Sequence, residues 1–106
     1  MLTFQKFSET NRLRNKVHFP DCERWEEVHW GNALAGEAGE LCNIIKKRDR
    51  AWKESDNIPD EEVGKEIADI ICYCDLLAGK IGKNLEEILI QKFNEISDRY
   101  DCDIKL

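Results

Sequence analysis

Apolar residues recur every three or four positions along most of this chain, and no segment alternates apolar and polar residues as a half-buried strand would. This spacing predicts four helices, over residues 2–16, 23–48, 59–79 and 84–100. Gly31 is a point at which the second helix could divide, and the polar stretch 49–58 is expected to be a loop. Pro59, followed by three acidic residues, is typical of a helix start. We therefore expect an all-α fold, a four-helix bundle in a single domain that covers residues 1–106.

Length and charge limit the classes of partner. The 106 residues include 22 acidic and 16 basic side chains, a net charge of −6, which argues against sequence-independent binding to nucleic acid or to anionic membranes. No run of 18 apolar residues occurs, and the N-terminal sequence MLTFQKFSE lacks the regions of a signal peptide, so we expect a cytosolic protein. A chain this short buries limited surface alone, which favours a homo-oligomer.

The five cysteines predict reduced thiols, because their number is odd and no C-x-x-C pair occurs. Cys42, Cys72 and Cys74 lie in apolar helical stretches. We expect them to behave as small buried hydrophobic residues rather than as nucleophiles.

Two pairs of acidic residues stand inside otherwise apolar helical runs, Glu37-x-x-Glu40 and Glu66-x-x-Asp69. Residues three apart share one helix face, with Cβ atoms ~5–6 Å apart. If the two helices pack face to face, four carboxylates converge, and two charges ~5 Å apart repel by roughly 3 kcal/mol at an effective dielectric of about 20. Mg²⁺ or Mn²⁺ would remove that repulsion, since both prefer oxygen ligands. The alternative is a solvated acidic face.

Two further features lie beside these acids. Gly36 and Gly39 alternate with the acids of the first pair, although each mid-helix glycine costs about 1 kcal/mol relative to alanine. Such a thin stretch of helix allows a ligand to approach closely, and tight helix packing would explain it equally well. In the third helix, Tyr73 continues the stripe of Glu66 and Asp69.

Basic and aromatic residues could bind the remainder of a ligand. Lys92 and Arg99 are seven residues apart, hence on one face of the fourth helix, where they could hold phosphates; a ladder of ion pairs with Glu95 is the alternative. Trp25 and His29 share a face at i and i+4. An aromatic group with a polar edge can stack on a nucleobase and read it, although core packing is the default role of tryptophan.

Taken together, these segments resemble the MazG-like all-α nucleoside triphosphate pyrophosphohydrolases, the group that includes the dCTP pyrophosphatases. The similarity covers roughly residues 25–100. Its core is E-x-x-E followed by E-x-x-D, present here as Gly36-Glu37-Ala38-Gly39-Glu40-Leu41 and Glu66-Ile67-Ala68-Asp69. The basic segment 91–100 and the tyrosine at 73 are similar as well.

The resemblance implies a bundle of the all-α NTP pyrophosphohydrolase type that hydrolyses a nucleoside triphosphate, standard or modified, to monophosphate and pyrophosphate for control of the nucleotide pool. It implies Mg²⁺, or Mn²⁺, held by Glu37, Glu40, Glu66 and Asp69, with Glu37 or Glu40 as the base that accepts a proton from water. The substrate-binding residues that it implies are Lys92, Arg99, Lys47, Tyr73 and Asn94, with Trp25 and His29 at the nucleobase. It also implies a homodimer or homotetramer.

Two other classes of protein share parts of this pattern. A carboxylate-bridged di-iron bundle also gathers acids from its helices, but that design needs Glu-x-x-His on two of them, and neither acid pair here is followed by histidine at that spacing. A non-catalytic helical interaction module is the remaining alternative, since acidic stripes on a bundle require no chemistry.

Overall fold

The computed structural model describes residues 1–50 and 57–106. These residues form four α-helices, α1 (Phe4–His18), α2 (Glu27–Arg50), α3 (Asp60–Lys80) and α4 (Leu85–Arg99), together with a short 3₁₀ helix at Pro20–Arg24, and they contain no strand. The all-α prediction is confirmed. Residues 51–56 of the predicted loop lie outside the described residues. Within the described ranges, no helix combines the length and the apolar character needed to cross a membrane.

Several helix boundaries follow from local hydrogen bonding that the sequence signals. Thr3 Oγ1 accepts a hydrogen bond from the Lys6 amide at the start of α1, and Asn84 Oδ1 accepts one from the Glu87 amide at the start of α4. At the end of α3, Gly82 has a φ of 71°, and the Lys83 amide donates to the Ala78 carbonyl at 2.8 Å. That pairing is a Schellman motif, in which glycine supplies the left-handed residue at no steric cost.

The predicted second helix is divided, but not at Gly31, which lies inside α2. Pro20 opens the 3₁₀ helix, Trp25 is extended, and α2 begins at Glu27. The backbone amide of Glu26 donates to His29 Nδ1 at 3.0 Å. In a capping box, a glutamate side chain in the first turn accepts a hydrogen bond from the backbone amide of the N-cap residue, and His29 takes that role here. This bond explains why the helical segment is interrupted just before Glu27 and not at Gly31.

Helices α2 and α3 form an antiparallel pair, and this pair is the frame that positions the acidic residues. Near one end, Arg48 Nη2 of α2 lies 2.6 Å from Asp60 Oδ1 of α3. Near the other end, the rings of Trp30 and Tyr73 have centroids 6.2 Å apart. Because the last turn of α2 meets the first turn of α3, residues near the middle of each helix face each other.

Helix α1 is fastened across α3 by a fully buried carboxylate, Asp75. Ser8 Oγ donates to Asp75 Oδ1 at 2.6 Å, Asn11 Nδ2 donates to Oδ2 at 3.0 Å, and Arg12 Nη2 lies 3.3 Å from Oδ1. Arg12 also donates to the Lys83 carbonyl in the α3–α4 turn, at 3.3 Å. A buried charge is tolerated when it is paired and hydrogen-bonded, and this network satisfies both oxygens of Asp75.

Gly79 makes room for that network. A Cβ atom built on Gly79 would lie 3.0 Å from Cζ of Arg12, closer than side chains normally approach. The guanidinium group therefore rests against the backbone of α3, where a larger residue would press it away.

The cysteines are all free thiols, as predicted. Cys42, however, is exposed, and the prediction that it is buried was wrong, because it lies on the side of α2 that no described helix covers. Cys74 is half-buried, and burial raises the pKa of its thiol, which keeps it protonated and unreactive at neutral pH.

Candidate metal centre and adjoining cavity

Three of the four predicted metal ligands are brought together across the α2–α3 pair. One carboxylate oxygen each from Glu37, Glu40 and Glu66 lies within 4.8 Å of the other two. Helical spacing places the first two on one face of α2, and the antiparallel packing brings Glu66 opposite them. This is an all-oxygen donor set of the kind that Mg²⁺ and Mn²⁺ take.

Mutual repulsion in this cluster is visible at Glu37. Burial raises the pKa of its carboxyl group, and the negative charges of Glu40, Asp69 and Glu66 raise it further, together with a hydrogen bond between the Glu37 and Glu40 side chains. Without a cation, the repulsion between these carboxylates therefore destabilises the folded protein.

Glu66 supplies a second, independent sign that the cluster is incomplete. Its Oε2 atom is buried and has no hydrogen-bond partner among the described residues. A buried carboxylate oxygen without a partner costs more than an ordinary hydrogen bond contributes, and ligation of a cation is one way to satisfy it.

Asp69, the fourth predicted ligand, is exposed and lies outside this tight group of three. Its charge nevertheless contributes to the raised pKa of Glu37 and of Tyr73, so it stands beside the cluster. For Tyr73 the largest cause is burial, followed by the charge of Glu37 and then that of Asp69. The phenol is therefore held protonated and can donate a hydrogen bond.

A cavity of about 310 Å³ with several aromatic residues in its lining includes one of the four acids, Asp69. Asp69 and Tyr73 line it on the α3 side, and Trp25 and Trp30 line it on the opposite side. The centroids of the two indole rings are 4.6 Å apart, and Trp30 is buried. Cavities of this size and lining are typical of sites for small organic ligands. The remaining lining residues are Asn11, Arg14, Asn15, Phe19, Cys22, Cys72 and Leu76.

Of the two residues predicted at the nucleobase, the structure places Trp25 in the cavity and His29 at its edge. The rings of Trp25 and His29 have centroids 6.2 Å apart, but His29 is exposed and does not line the cavity. Its Nδ1 atom accepts the capping hydrogen bond at the start of α2. The aromatic partner of Trp25 inside the cavity is Trp30 instead.

The predicted phosphate-binding residues of α4 have partners within the chain. Lys92 Nζ and Arg99 Nη2 lie 2.6 Å and 3.2 Å from the same Glu95 oxygen, which is the ladder that the sequence offered as the alternative. Lys92 lowers the pKa of Glu95 through a hydrogen bond and its charge, and Arg99 contributes to a smaller extent. Asn94 is also engaged, since its side chain exchanges two hydrogen bonds with the backbone of Leu106.

Lys47 lies on α2, half-buried in its last turn. It follows Glu40 by seven residues and is therefore on the same side of the helix. Among the predicted cations it is the one that shares a helix with two of the clustered acids.

Asp75 and its partners on α1 were missed by the sequence interpretation. The available signal was a lone acid inside the apolar run from Ile70 to Ala78, because aspartate is rarely buried unless it is paired. Ser8, Asn11 and Arg12, which share one face of α1, are the matching donors.

Comparison with known proteins places no further constraint on this site: no family model matches the chain, and neither the curated proteins nor the solved structures contain a match.

Proposed function

We propose that this chain is a Mg²⁺-dependent nucleoside triphosphate pyrophosphohydrolase of the MazG-like type, which converts a nucleoside triphosphate to the monophosphate and pyrophosphate. The observation that carries the proposal is Glu66 Oε2, which is buried without a hydrogen-bond partner in the described part of the chain and belongs to a cluster of three carboxylates. Beside this cluster stands Asp69, which lines an aromatic cavity. The E-x-x-E and E-x-x-D motifs support the same assignment.

The side chains fit a hard divalent cation. Glu37, Glu40 and Glu66 would hold it, with Asp69 as a further negative charge beside them, and the donors are all oxygens. When bound, such an ion supplies positive charge that neutralises phosphate oxygens as the anhydride bond breaks. The cation would also relieve the repulsion that now raises the pKa of Glu37.

Glu37 is our choice for the residue that accepts the proton of the attacking water. Burial is the largest cause of the raised pKa of its carboxyl group and does not depend on the repulsion that a cation would relieve, and a carboxylate of raised pKa accepts a proton more readily than an ordinary one. Tyr73, whose phenol stays protonated, is positioned beside Asp69 to donate a hydrogen bond to the substrate.

The cavity fits the nucleoside half of such a substrate. The indole ring of Trp25, which packs against that of Trp30, offers a face for stacking on a base, and Asn15 offers an amide group for hydrogen bonding at the same cavity. Asp69 lines this cavity and also influences the charge of Glu37, so a ligand that fills the cavity can extend toward the acids.

Binding of the phosphate tail by α4 requires an exchange of partners. A phosphate oxygen would have to replace the Glu95 carboxylate at Lys92 and Arg99, which is feasible because all three side chains are at the surface and such pairs contribute little to stability. Lys47 is a further candidate for the phosphate tail, since it stands on the same helix as Glu37 and Glu40.

The proposal is tested with a panel of standard and modified ribo- and deoxyribonucleoside triphosphates, each with Mg²⁺, with Mn²⁺ and with a chelator. The nucleotide product is identified by anion-exchange chromatography, and pyrophosphate is measured with and without added inorganic pyrophosphatase. We expect at least one triphosphate to give monophosphate and pyrophosphate in equal amounts, in a metal-dependent reaction.

Two outcomes contradict the proposal. Release of orthophosphate without pyrophosphate would indicate a different hydrolase, and no turnover of any nucleotide with either metal would favour the non-catalytic interaction module.

A further inference from the structure

A second cavity lies near the end of α3, away from the acidic cluster. Its volume is also about 310 Å³, and none of the four predicted metal ligands is among its lining residues. It shares Trp30 and Leu76 with the aromatic cavity, so the two spaces are neighbours. Unlike the aromatic cavity, it has three ionisable groups of both signs in its lining, Arg12, Glu23 and Lys80. We refer to it as the charged cavity.

Arg12 is a fixed cation in the wall of the charged cavity. All of its hydrogen bonds use Nη2, which donates to the carboxylate and the carbonyl of Asp75 and to the carbonyl of Lys83. Its Nε atom is buried and has no acceptor among the described residues, although the side chain as a whole is 40% exposed. The guanidinium group is therefore held in place before any ligand binds, with donor capacity that the chain does not use.

Two exposed charges line the same cavity and have no partner in the described part of the chain. Lys80 stands in the last turn of α3, and Glu23 stands in the 3₁₀ helix. Neither forms a salt bridge with the other or with any further described residue. A ligand that carries both a negative and a positive group can bridge two such charges.

The sum of the charges around this cavity favours a ligand without net charge. The buried carboxylate of Asp75 offsets the charge of Arg12, and Lys80 and Glu23 offset each other. A phosphate ester would be repelled by Glu23, and a simple cation would be repelled by Arg12 and Lys80. A zwitterion with one carboxylate and one ammonium group avoids both repulsions.

We propose that the charged cavity binds a free α-amino acid with an apolar or aromatic side chain. The carboxylate pairs with Arg12 and Lys80, the ammonium group pairs with Glu23, and the side chain packs against Trp30 and Leu76. The volume is near the lower limit for ligand sites, roughly 300 Å³, which suits a molecule of this size. The proposal uses no residue of the acidic cluster, so it is independent of the proposed enzymatic activity.

The first test compares L-phenylalanine with two analogues that each lack one charge. Hydrocinnamate lacks the ammonium group, and phenethylamine lacks the carboxylate. Each compound, with L-leucine and L-tryptophan, is titrated into isotope-labelled wild-type protein without nucleotide or metal. Binding is followed by NMR through the Arg12 Nε–H and Trp30 indole N–H signals. We expect at least one amino acid to shift both signals to saturation, and each phenylalanine analogue to bind about tenfold more weakly than phenylalanine.

Two outcomes of this titration would overturn the proposal. One is that none of the three amino acids shifts both signals. The other is that hydrocinnamate binds as tightly as phenylalanine, which would mean that the cavity recognises an anion and not a zwitterion.

The second test uses variants of the two exposed charges. Lys80→Gln should weaken phenylalanine binding about three- to fivefold. Lys83→Gln, the same change at an exposed lysine that does not line the cavity, should leave the affinity unchanged. Because both lysines are exposed, the helicity measured by circular dichroism should be that of wild type. Equal affinity in Lys80→Gln and wild type would count against the proposed position of the carboxylate.

Glu23→Gln tests the position of the ammonium group. It should weaken phenylalanine binding but not hydrocinnamate binding, so that the two affinities differ by less than about threefold. Glu26→Gln, the same change at an exposed acid outside the cavity lining, should keep the wild-type difference. If Glu23→Gln also keeps that difference, Glu23 does not bind the ammonium group and the proposal is wrong.

Discussion

Asp75 and Glu66 lie nine residues apart on α3, and both have a carboxylate oxygen out of contact with solvent. Both oxygens of Asp75 accept hydrogen bonds, from Ser8, Asn11 and Arg12. Glu66 Oε2 has no donor among the described residues, and its neighbours are two further acids. The Asp75 carboxylate is therefore fully paired within the chain, although Arg12 Nε beside it has no hydrogen-bond partner among the described residues, whereas no cation among those residues pairs with the acids of the α2–α3 centre. Burial of an acid alone does not distinguish a structural residue from a ligand; the presence or absence of donors does.

The strongest test of this contrast is Asp75→Ala. It removes the carboxylate acceptor of Ser8, Asn11 and Arg12, of which the last two keep backbone carbonyl acceptors, and leaves the Arg12 charge unpaired. We expect the free energy of unfolding to fall by roughly 3 kcal/mol. Urea unfolding followed by circular dichroism measures the loss. Asp103→Ala, the same change at an exposed position, serves as the control and should alter stability little. If the two variants were equally stable, the Asp75 network would not be what joins α1 to α3.

Glu66→Gln tests the other side of the comparison. We expect turnover to fall at least 100-fold, about 2.7 kcal/mol in transition-state stabilisation, and Mg²⁺ affinity by calorimetry to fall roughly tenfold. Helicity should be unchanged. The matched control is Glu61→Gln, an exposed acid in the first turn of the same helix, which should keep wild-type turnover. Parallel loss of helicity and activity in Glu66→Gln would instead identify Glu66 as a structural residue.

The change in stability caused by Glu37→Gln is the smallest of the three effects, and it depends on pH. Because the pKa of Glu37 is higher in the folded than in the unfolded chain, the metal-free protein loses stability as the pH rises from the ordinary range of a glutamate through the raised value. The neutral glutamine removes this loss. Metal-free Glu37→Gln should therefore be more stable than wild type at pH 7, by less than about 1 kcal/mol, and the difference should vanish at acidic pH.

With added Mg²⁺ at pH 7, wild type should become more stable than Glu37→Gln, because wild type gains the full metal-binding free energy and the variant does not. Thermal unfolding with and without Mg²⁺ measures both effects. A variant that is less stable than wild type in the absence of metal would show that Glu37 does not bear the repulsion described above.

Much of the helical framework was predictable because its signals are local. Thr3, Pro59, Asn84 and Gly82 mark helix ends through hydrogen bonds or backbone angles that involve residues close in sequence. The restart at Glu27 was missed because it depends on a histidine that replaces the usual glutamate of a capping box.

The site was predictable in part. Helical spacing alone places Glu37 beside Glu40, but only the packing of α2 on α3 determines that Glu66 joins them more closely than Asp69. The pairing of Trp25 with Trp30 depends on the bend between the 3₁₀ helix and α2, for which the sequence has no simple signal. Likewise, helical spacing alone could not decide whether Lys92 and Arg99 bind a phosphate group or pair with Glu95, because both partners are chemically reasonable.

The absence of a side chain at residue 79 has a consequence for how this sequence can vary. Alanine there would favour the helix by up to about 1 kcal/mol, but its methyl group would push against the Arg12 guanidinium and weaken its hold on Asp75. The two contributions oppose each other, so the residue tolerated at position 79 depends on the residue at position 12. Where Arg12 is replaced by a short side chain, the reason for glycine disappears. Positions 12 and 79, 67 residues apart in the chain, are therefore expected to change together rather than separately.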